Sequence, residues 1–130
     1  MQLTFLIVGL GSMGKRRIRC LKRLGYSDIK GFDPREDRCQ EVSKKYGILS
    51  QTKWDIAKKI TADTWIISSP PDLHINYALE AVELGKHFFT EANVPDERMN
   101  ILIDALTQAN IVGVPSCTMR YFEGPKKIKE

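Results

Sequence analysis

The chain has 130 residues, 42% of them apolar and 28% charged, proportions that fit one folded domain and exclude a disordered chain, a collagen-like repeat and a disulfide scaffold. Its formal net charge of +4 would, taken alone, point to a nucleic acid or a membrane surface. The charge is local, however: residues 15–23 carry six bases and no acid, residues 120–130 carry four bases and two acids, and the remainder is net −4.

Residues 2–8 (QLTFLIV) form an apolar run without polar alternation, which predicts a strand buried on both faces. Gly9-Leu10-Gly11-Ser12-Met13-Gly14 follows at once, in the pattern G-x-G-x-x-G between a strand and a helix. In that context each glycine has a mechanical role. Gly9 makes the tight turn, Gly11 lets a pyrophosphate approach the backbone, and Gly14 lets the helix pack close to the sheet. Ser12 and Met13 open the helix, whose free N–H groups and dipole would hold the anion. The helix is expected over residues 12–24, with Gly14, Ile18 and Leu21 on one face and Gly25 ending it. Arg16, Arg19, Lys22 and Arg23 fall mostly off that face and read as solvated, while Lys15 and Arg16 lie near enough to the turn to add charge beside bound phosphates.

Residues 28–33 (DIKGFD) read as a second strand ending in Asp33, 19 residues beyond Gly14. A carboxylate there can accept hydrogen bonds from both ribose hydroxyls of an adenosine and would repel a 2′-phosphate, which favours NAD over NADP. Arg35 and Arg38 follow closely; either could move to neutralise a phosphate or stack on adenine, or simply belong to a solvated helix start. A helix over 35–46 turns Cys39, Val42 and Tyr46 inward and stops at Gly47. A short strand near 48–50 and a helix near 53–60 come next.

Residues 63–68 (DTWIIS) predict a buried strand ended by Pro70-Pro71, and Asp72 is placed to cap a helix carrying Ile75, Leu79 and Val82 on one side, with Gly85 past its end. Residues 87–91 (HFFTE) read as a strand. Asp96 is expected to open a helix with Met99, Leu102, Ile103 and Leu106 inward, and 111–116 (IVGVPS) is the sixth strand. Six strands alternating with helices imply an α/β protein with a parallel sheet covered on both faces. Gly124-Pro125 before Lys126-Lys127-Ile128 reads as the first turn of a further helix, so the chain is expected to be the first domain of a longer protein, a frayed tail being the other reading.

The run Ile66-Ile67-Ser68-Ser69-Pro70-Pro71-Asp72-Leu73-His74, then Ala78, Ala81 and Gly85-Lys86-His87-Phe88-Phe89-Thr90-Glu91, resembles the glucose–fructose oxidoreductase/inositol dehydrogenase/MocA (Gfo/Idh/MocA) family. The glycine turn with Lys15-Arg16-Arg17 and the Met119-Arg120-Tyr121 segment fit the same pattern. The resemblance implies a Rossmann doubly wound sheet of strand order 3-2-1-4-5-6 over residues 1–119. It also implies that residues 120–130 begin an α+β substrate domain, and that the family's hydride transfer acts on sugar or cyclitol hydroxyls. It places Ser69, Pro70 and His74 near the pyrophosphate and nicotinamide ribose, Glu91 at the nicotinamide end and Arg120 at the entry to the second domain. Read locally, His74 is an exposed residue in the first turn of a helix.

One departure is sharp. Where the family has Glu-Lys-Pro, this chain has Glu91-Ala92-Asn93. Ala92 has neither charge nor donor, and Asn93 cannot act as a base near neutral pH. The catalytic residue is therefore left open, between an oxidoreductase using another base and a non-catalytic module that keeps the cofactor site. The expected cofactor-binding set is Gly9, Gly11, Ser12, Met13, Gly14, Asp33, Arg38, Ser69, Pro70, His74 and Glu91, with NAD as cofactor, NADP possible and no metal. Three cysteines, Cys20, Cys39 and Cys117, show no metal-ligand spacing and read as reduced and mostly packed, as in a cytoplasmic protein. No apolar run reaches the roughly 18–20 residues of a membrane span. The expected partners are a dinucleotide, a small sugar-like substrate in the full-length protein and a second copy of the chain, with no nucleic acid.

Overall fold

Two hydrophobic layers sandwich one six-stranded sheet. The computed structural model describes residues 2–92 and 97–117. Its strands are β1 (Phe5–Val8), β2 (Ile29–Phe32), β3 (Ser50–Gln51), β4 (Thr64–Ile67), β5 (His87–Thr90) and β6 (Gly113–Pro115). They pair in parallel in the order β3-β2-β1-β4-β5-β6, the expected doubly wound Rossmann topology. The helices are α1 (Ser12–Arg23), α2 (Glu36–Tyr46), α3 (Trp54–Ala57), α4 (His74–Glu83) and α5 (Met99–Gln108).

The central strand shows why the run Phe5-Leu6-Ile7-Val8 is apolar at every position. Its side chains alternate across the sheet, and both sides are covered. Phe5 and Ile7 join Ile29, Ile66, Ile18, Cys39 and Val42 beneath α1 and α2. Leu6 and Val8 join Phe32, Trp65, Ile67 and Phe88 beneath α3, α4 and α5, with Ala57, Ile75, Ala78, Ala81 and Leu102. Complete burial of a side chain such as Leu6 or Ile7 stabilises the fold by about 1.5–3 kcal/mol each.

Several boundaries differ from the sequence reading. β1 starts at Phe5, not at residue 2, because its neighbours start at Ile29 and Thr64 and offer no ladder before it. Thr4 instead donates its N–H and hydroxyl to Asp63, each at 2.9 Å. β6 spans only Gly113–Pro115, the stretch that pairs with β5, and α3 is a single turn, Trp54–Ala57. Asp72 does not cap α4: a 3₁₀ turn over Pro71–Leu73 intervenes, and Leu73 stands at the cap position with no side-chain bond. The buried face of α4 is accordingly His74, Ile75, Ala78 and Ala81, with Leu79 and Val82 only half-covered at its flank. On α5 Leu102 is buried while Ile103, expected inward, is 51% exposed. Asp96, Asn93, the segment Met119-Arg120-Tyr121 and the helix start at Pro125 lie outside the described residues. Among the described residues, no helix is long and apolar enough to cross a membrane.

The Thr4 bonds hold the Asp63 carboxyl below the usual carboxylate range. A carboxyl whose folded pKa lies below its unfolded value adds stability that is present above about pH 4 and lost as pH falls through the folded value. Asp63→Asn is therefore expected to flatten the acid limb of the stability curve. Urea melts of both proteins between neutral and acid pH would check this: their midpoints should differ near pH 7 and converge in acid.

Candidate functional site

β1 and β4 lie side by side, yet the helices that follow them leave to opposite faces of the sheet, α1 into one core and α4 into the other. In open parallel sheets ligands bind in the crevice at such a switch point, beyond the carboxyl ends of the strands. A cleft of about 400 Å³ opens there, floored by the glycine turn and walled by the β2 and β4 ends. That volume is within the range of ordinary ligand sites.

The glycine turn is built as its pattern requires. Gly9 has φ +99°, and a Cβ on it would lie 2.7 Å from the Ser68 carbonyl. At Gly14 a Cβ would lie 1.9 Å from the Gly9 carbonyl oxygen and 3.4 Å from Ile7 Cγ2, so α1 packs against the turn itself as well as the sheet. Gly11 differs: a Cβ there would enter the cleft and meet only the Arg38 guanidinium, at 3.7 Å. Gly11 is also the N-cap of α1, and no side chain caps that helix or places an acid in its first turn. The first-turn N–H groups of a helix have no intrahelical partners, so this end could receive an anion, with Ser12 and Met13 on the cleft wall.

Asp33 is 2% exposed at the end of β2. Its Oδ2 accepts the Leu10 N–H at 2.9 Å and the Arg38 guanidinium at 3.2 Å, and its Oδ1 accepts the Arg35 N–H at 2.9 Å. The carboxylate thus clamps the glycine turn to the start of α2 as well as facing the cleft. Arg35 and Arg38 both line the cleft, Arg35 with its guanidinium held by Asp37 at 2.6 Å. Cys39 lies behind them, its thiol directed at the Asp33 carbonyl at 3.4 Å, and burial pushes its pKa up, so it remains a protonated thiol.

The loop after β4 brings Ser68, Ser69 and Pro70 to the opposite wall. His74 is 3% exposed, not the exposed residue of the local reading. Its Nε2 lies 2.8 Å from the Ser69 carbonyl oxygen, and because a carbonyl only accepts, Nε2 carries the proton. His74 lines a neighbouring apolar groove between α4 and α5 and not the cleft, and its bond ties the start of α4 to the loop. Glu91 does not line the cleft either. It receives two bonds from Arg17 of α1, at 2.6 and 2.8 Å, and the Ser68 hydroxyl at 3.3 Å. The Arg17 guanidinium also lies over the Phe89 ring, 4.9 Å from its centroid. Ala92 follows on the surface.

Sequence reasoning left three contributors unassigned. Arg17 was part of a basic run, with nothing to single it out until Glu91 is folded beside it. Leu73 and Tyr77 complete the cleft wall. Tyr77 belongs to an aromatic cluster with Phe32 and Trp54, ring centroids 6.4 and 4.7 Å away, and burial raises its pKa so that it stays a neutral phenol. Lys15, expected near the phosphates, is instead paired with Glu41 at 2.8 Å. Arg16, Arg19, Lys22 and Arg23 are exposed, as the solvated reading holds. Cys20 and Cys117 are exposed rather than packed.

The model of an oxidoreductase family with an NAD-binding Rossmann fold matches residues 3–114. No curated protein matches the chain significantly. Among solved structures, the WlbA dehydrogenase from Bordetella pertussis, in complex with NADH and UDP-GlcNAcA, superposes with a TM-score of 0.89 at 19% identity, covering 99% of this chain and 41% of that one. Myo-inositol 2-dehydrogenase from Lactobacillus plantarum gives 0.87 at 18%, covering 99% and 40%. UDP-N-acetylglucosamine 3-dehydrogenase GnnA from Acidithiobacillus ferrooxidans gives 0.84 at 18%, covering 99% and 41%. The chain therefore spans about two fifths of the length of these structures.

Proposed function

The chain belongs to the Gfo/Idh/MocA family of oxidoreductases with an NAD-binding Rossmann fold, and on that premise we propose that it is the cofactor-binding domain of an enzyme moving hydride to or from a sugar-like or cyclitol hydroxyl. One observation supports this reading above the others: an uncapped helix N-terminus opens behind a glycine turn into a cleft that also holds a buried carboxylate. The residues fit the cofactor. The pyrophosphate would rest on Gly11, Ser12 and Met13, where a side chain at position 11 would fill the space. Asp33 would take the adenosine ribose. Ser69 and Pro70, held by His74, would border the nicotinamide ribose, with Glu91 behind Ser68. When bound, NAD supplies the hydride acceptor.

Substrate residues would come from a domain beginning at about position 120. The solved relatives in complex with, or named for, UDP-sugars and inositol suggest the substrate class. We assign the protein to a reducing, cytoplasmic compartment on its free thiols, two of them exposed, and expect self-association through surface that the second domain would cover. A second reading follows from Ala92, which stands exposed where the family has its lysine: a dinucleotide-binding module without catalysis. Turnover of any polyol or sugar nucleotide by the full-length protein would exclude it.

Trp54 packs on Tyr77 at the cleft wall, so bound NADH should quench tryptophan fluorescence and emit by energy transfer. Titration of the chain with NADH is expected to saturate that signal at or below millimolar concentration. Absence of binding at that level would sink the cofactor reading.

A further inference from the structure

We propose that the apolar groove between α4 and α5 is a second ligand site, which takes a small neutral molecule with an apolar body and one hydroxyl. The inference is independent of the dinucleotide reading above and concerns the other side of the His74 ring.

The groove has a volume of about 430 Å³, within the range of small-molecule sites. Ile75 and Ala78 of α4 line one wall and Leu102 and Leu106 of α5 the other, over a floor that includes Phe88 and Thr90 of β5. Two small residues keep it open. Ala78 puts only a methyl group on its wall. Gly113 makes room for the Phe88 ring: a Cβ there would lie 2.3 Å from Phe88 Cζ, so the ring reaches across β6 along the floor.

Thr90 indicates what the groove takes. It is 3% exposed, and its Oγ1 is buried with no hydrogen-bond partner among the described residues. A hydroxyl in that position carries its full desolvation penalty. An ordered water relieves such a group only where two to four polar partners hold the water, and these walls are apolar. The other buried polar side chain on the lining, His74, is bonded to the Ser69 carbonyl. An organic hydroxyl meets both requirements: it donates to or accepts from Thr90 Oγ1 while its carbon skeleton covers the walls. A charged head group in its place would be buried at Thr90 without a counter-charge. The exposed Asp72 carboxylate on the rim would repel an anion besides.

The test titrates the chain with cyclohexanol, and with cyclohexanecarboxylate as its charged counterpart, and follows backbone amide resonances by nuclear magnetic resonance. Cyclohexanol is expected to shift the Ala78, Thr90 and Gly113 amides saturably at millimolar concentration, and the carboxylate to bind about tenfold more weakly or not at all. Thr90→Val keeps the shape of the floor and removes the hydroxyl. It should weaken cyclohexanol by about tenfold, the scale of one hydrogen bond, and should raise the melting temperature of the free protein, because the unpaired group is gone. Ala78→Leu, which fills the groove, should abolish the shifts. Absence of saturable shifts, shifts confined to the cleft around Gly11 and Asp33, or equal affinity for alcohol and carboxylate would each overturn the proposal. So would a Thr90→Val protein that melts below the original or binds cyclohexanol unchanged.

Discussion

Gly14→Ala is expected to abolish NADH binding and to destabilise the domain by about 3 kcal/mol. The added Cβ would stand 1.9 Å from the Gly9 carbonyl oxygen, which is backbone and cannot rotate away. The Gly9 N–H is itself bonded to the Phe32 carbonyl at 2.8 Å, and the Leu10 N–H to Asp33, so the turn cannot move without breaking the join between β1 and β2. Either α1 lifts from the sheet, uncovering Ile18, or the turn distorts and loses the anion cradle. For a domain of this size the loss corresponds to a fall in Tm of roughly 12 °C. Thermal melts and an NADH titration would check both. A melting point within a few degrees of the original, with binding intact, would show that the contact at Gly14 is not tight.

The second large effect is expected at Arg17. Arg17→Met should destabilise the domain by about 2 kcal/mol, because it strands the Glu91 carboxylate, whose side chain is only 13% exposed, without its bidentate partner. Loss of the contact over Phe89 adds about 0.5 kcal/mol. The pair should be strongly coupled. Glu91→Met alone leaves the guanidinium over the ring, and the double variant, which removes both charges, should recover more than half of the loss. A double-mutant cycle by urea denaturation measures this directly. Additive losses would mean that the two residues act independently, contrary to their 2.6 and 2.8 Å bonds. Because Glu91 accepts from Ser68 on the cleft wall, the single variants should also weaken NADH severalfold.

The parts of the fold visible in the residues are those with local causes. Phe5-Leu6-Ile7-Val8 reads as a doubly covered strand because its neighbours in the chain are a glycine turn and a helix, and no polar residue interrupts it. The G-x-G-x-x-G run carries its own geometry, since a side chain at 9 or 14 would collide with backbone. Asp33 follows from the length of one strand and helix after that turn. Errors arose where the cause lay elsewhere in the fold. Asp72 looked like a helix cap, but Pro70-Pro71 set a 3₁₀ turn that moved the start of α4 to His74 and rotated its buried face toward Ala78 and Ala81. Ile103 matches the apolar period of α5, but its exposure depends on how α5 sits over β5 and β6, which periodicity does not encode.

The parallel sheet and the G-x-G-x-x-G turn were legible in the residues because they rest on period, glycine placement and short connections, while the strand order followed from the family resemblance. How the charges around that turn are paired depends on the packing of distant elements. Arg17 and Glu91 are 74 positions apart and meet only when α1 packs beside the end of β5. His74 is buried on the Ser69 carbonyl instead of lying exposed, and Lys15 is paired with Glu41. Arg38 shares the Asp33 carboxylate with two backbone amides. Such pairings depend on distances of a few ångströms between elements, and one-dimensional spacing carries no information about them.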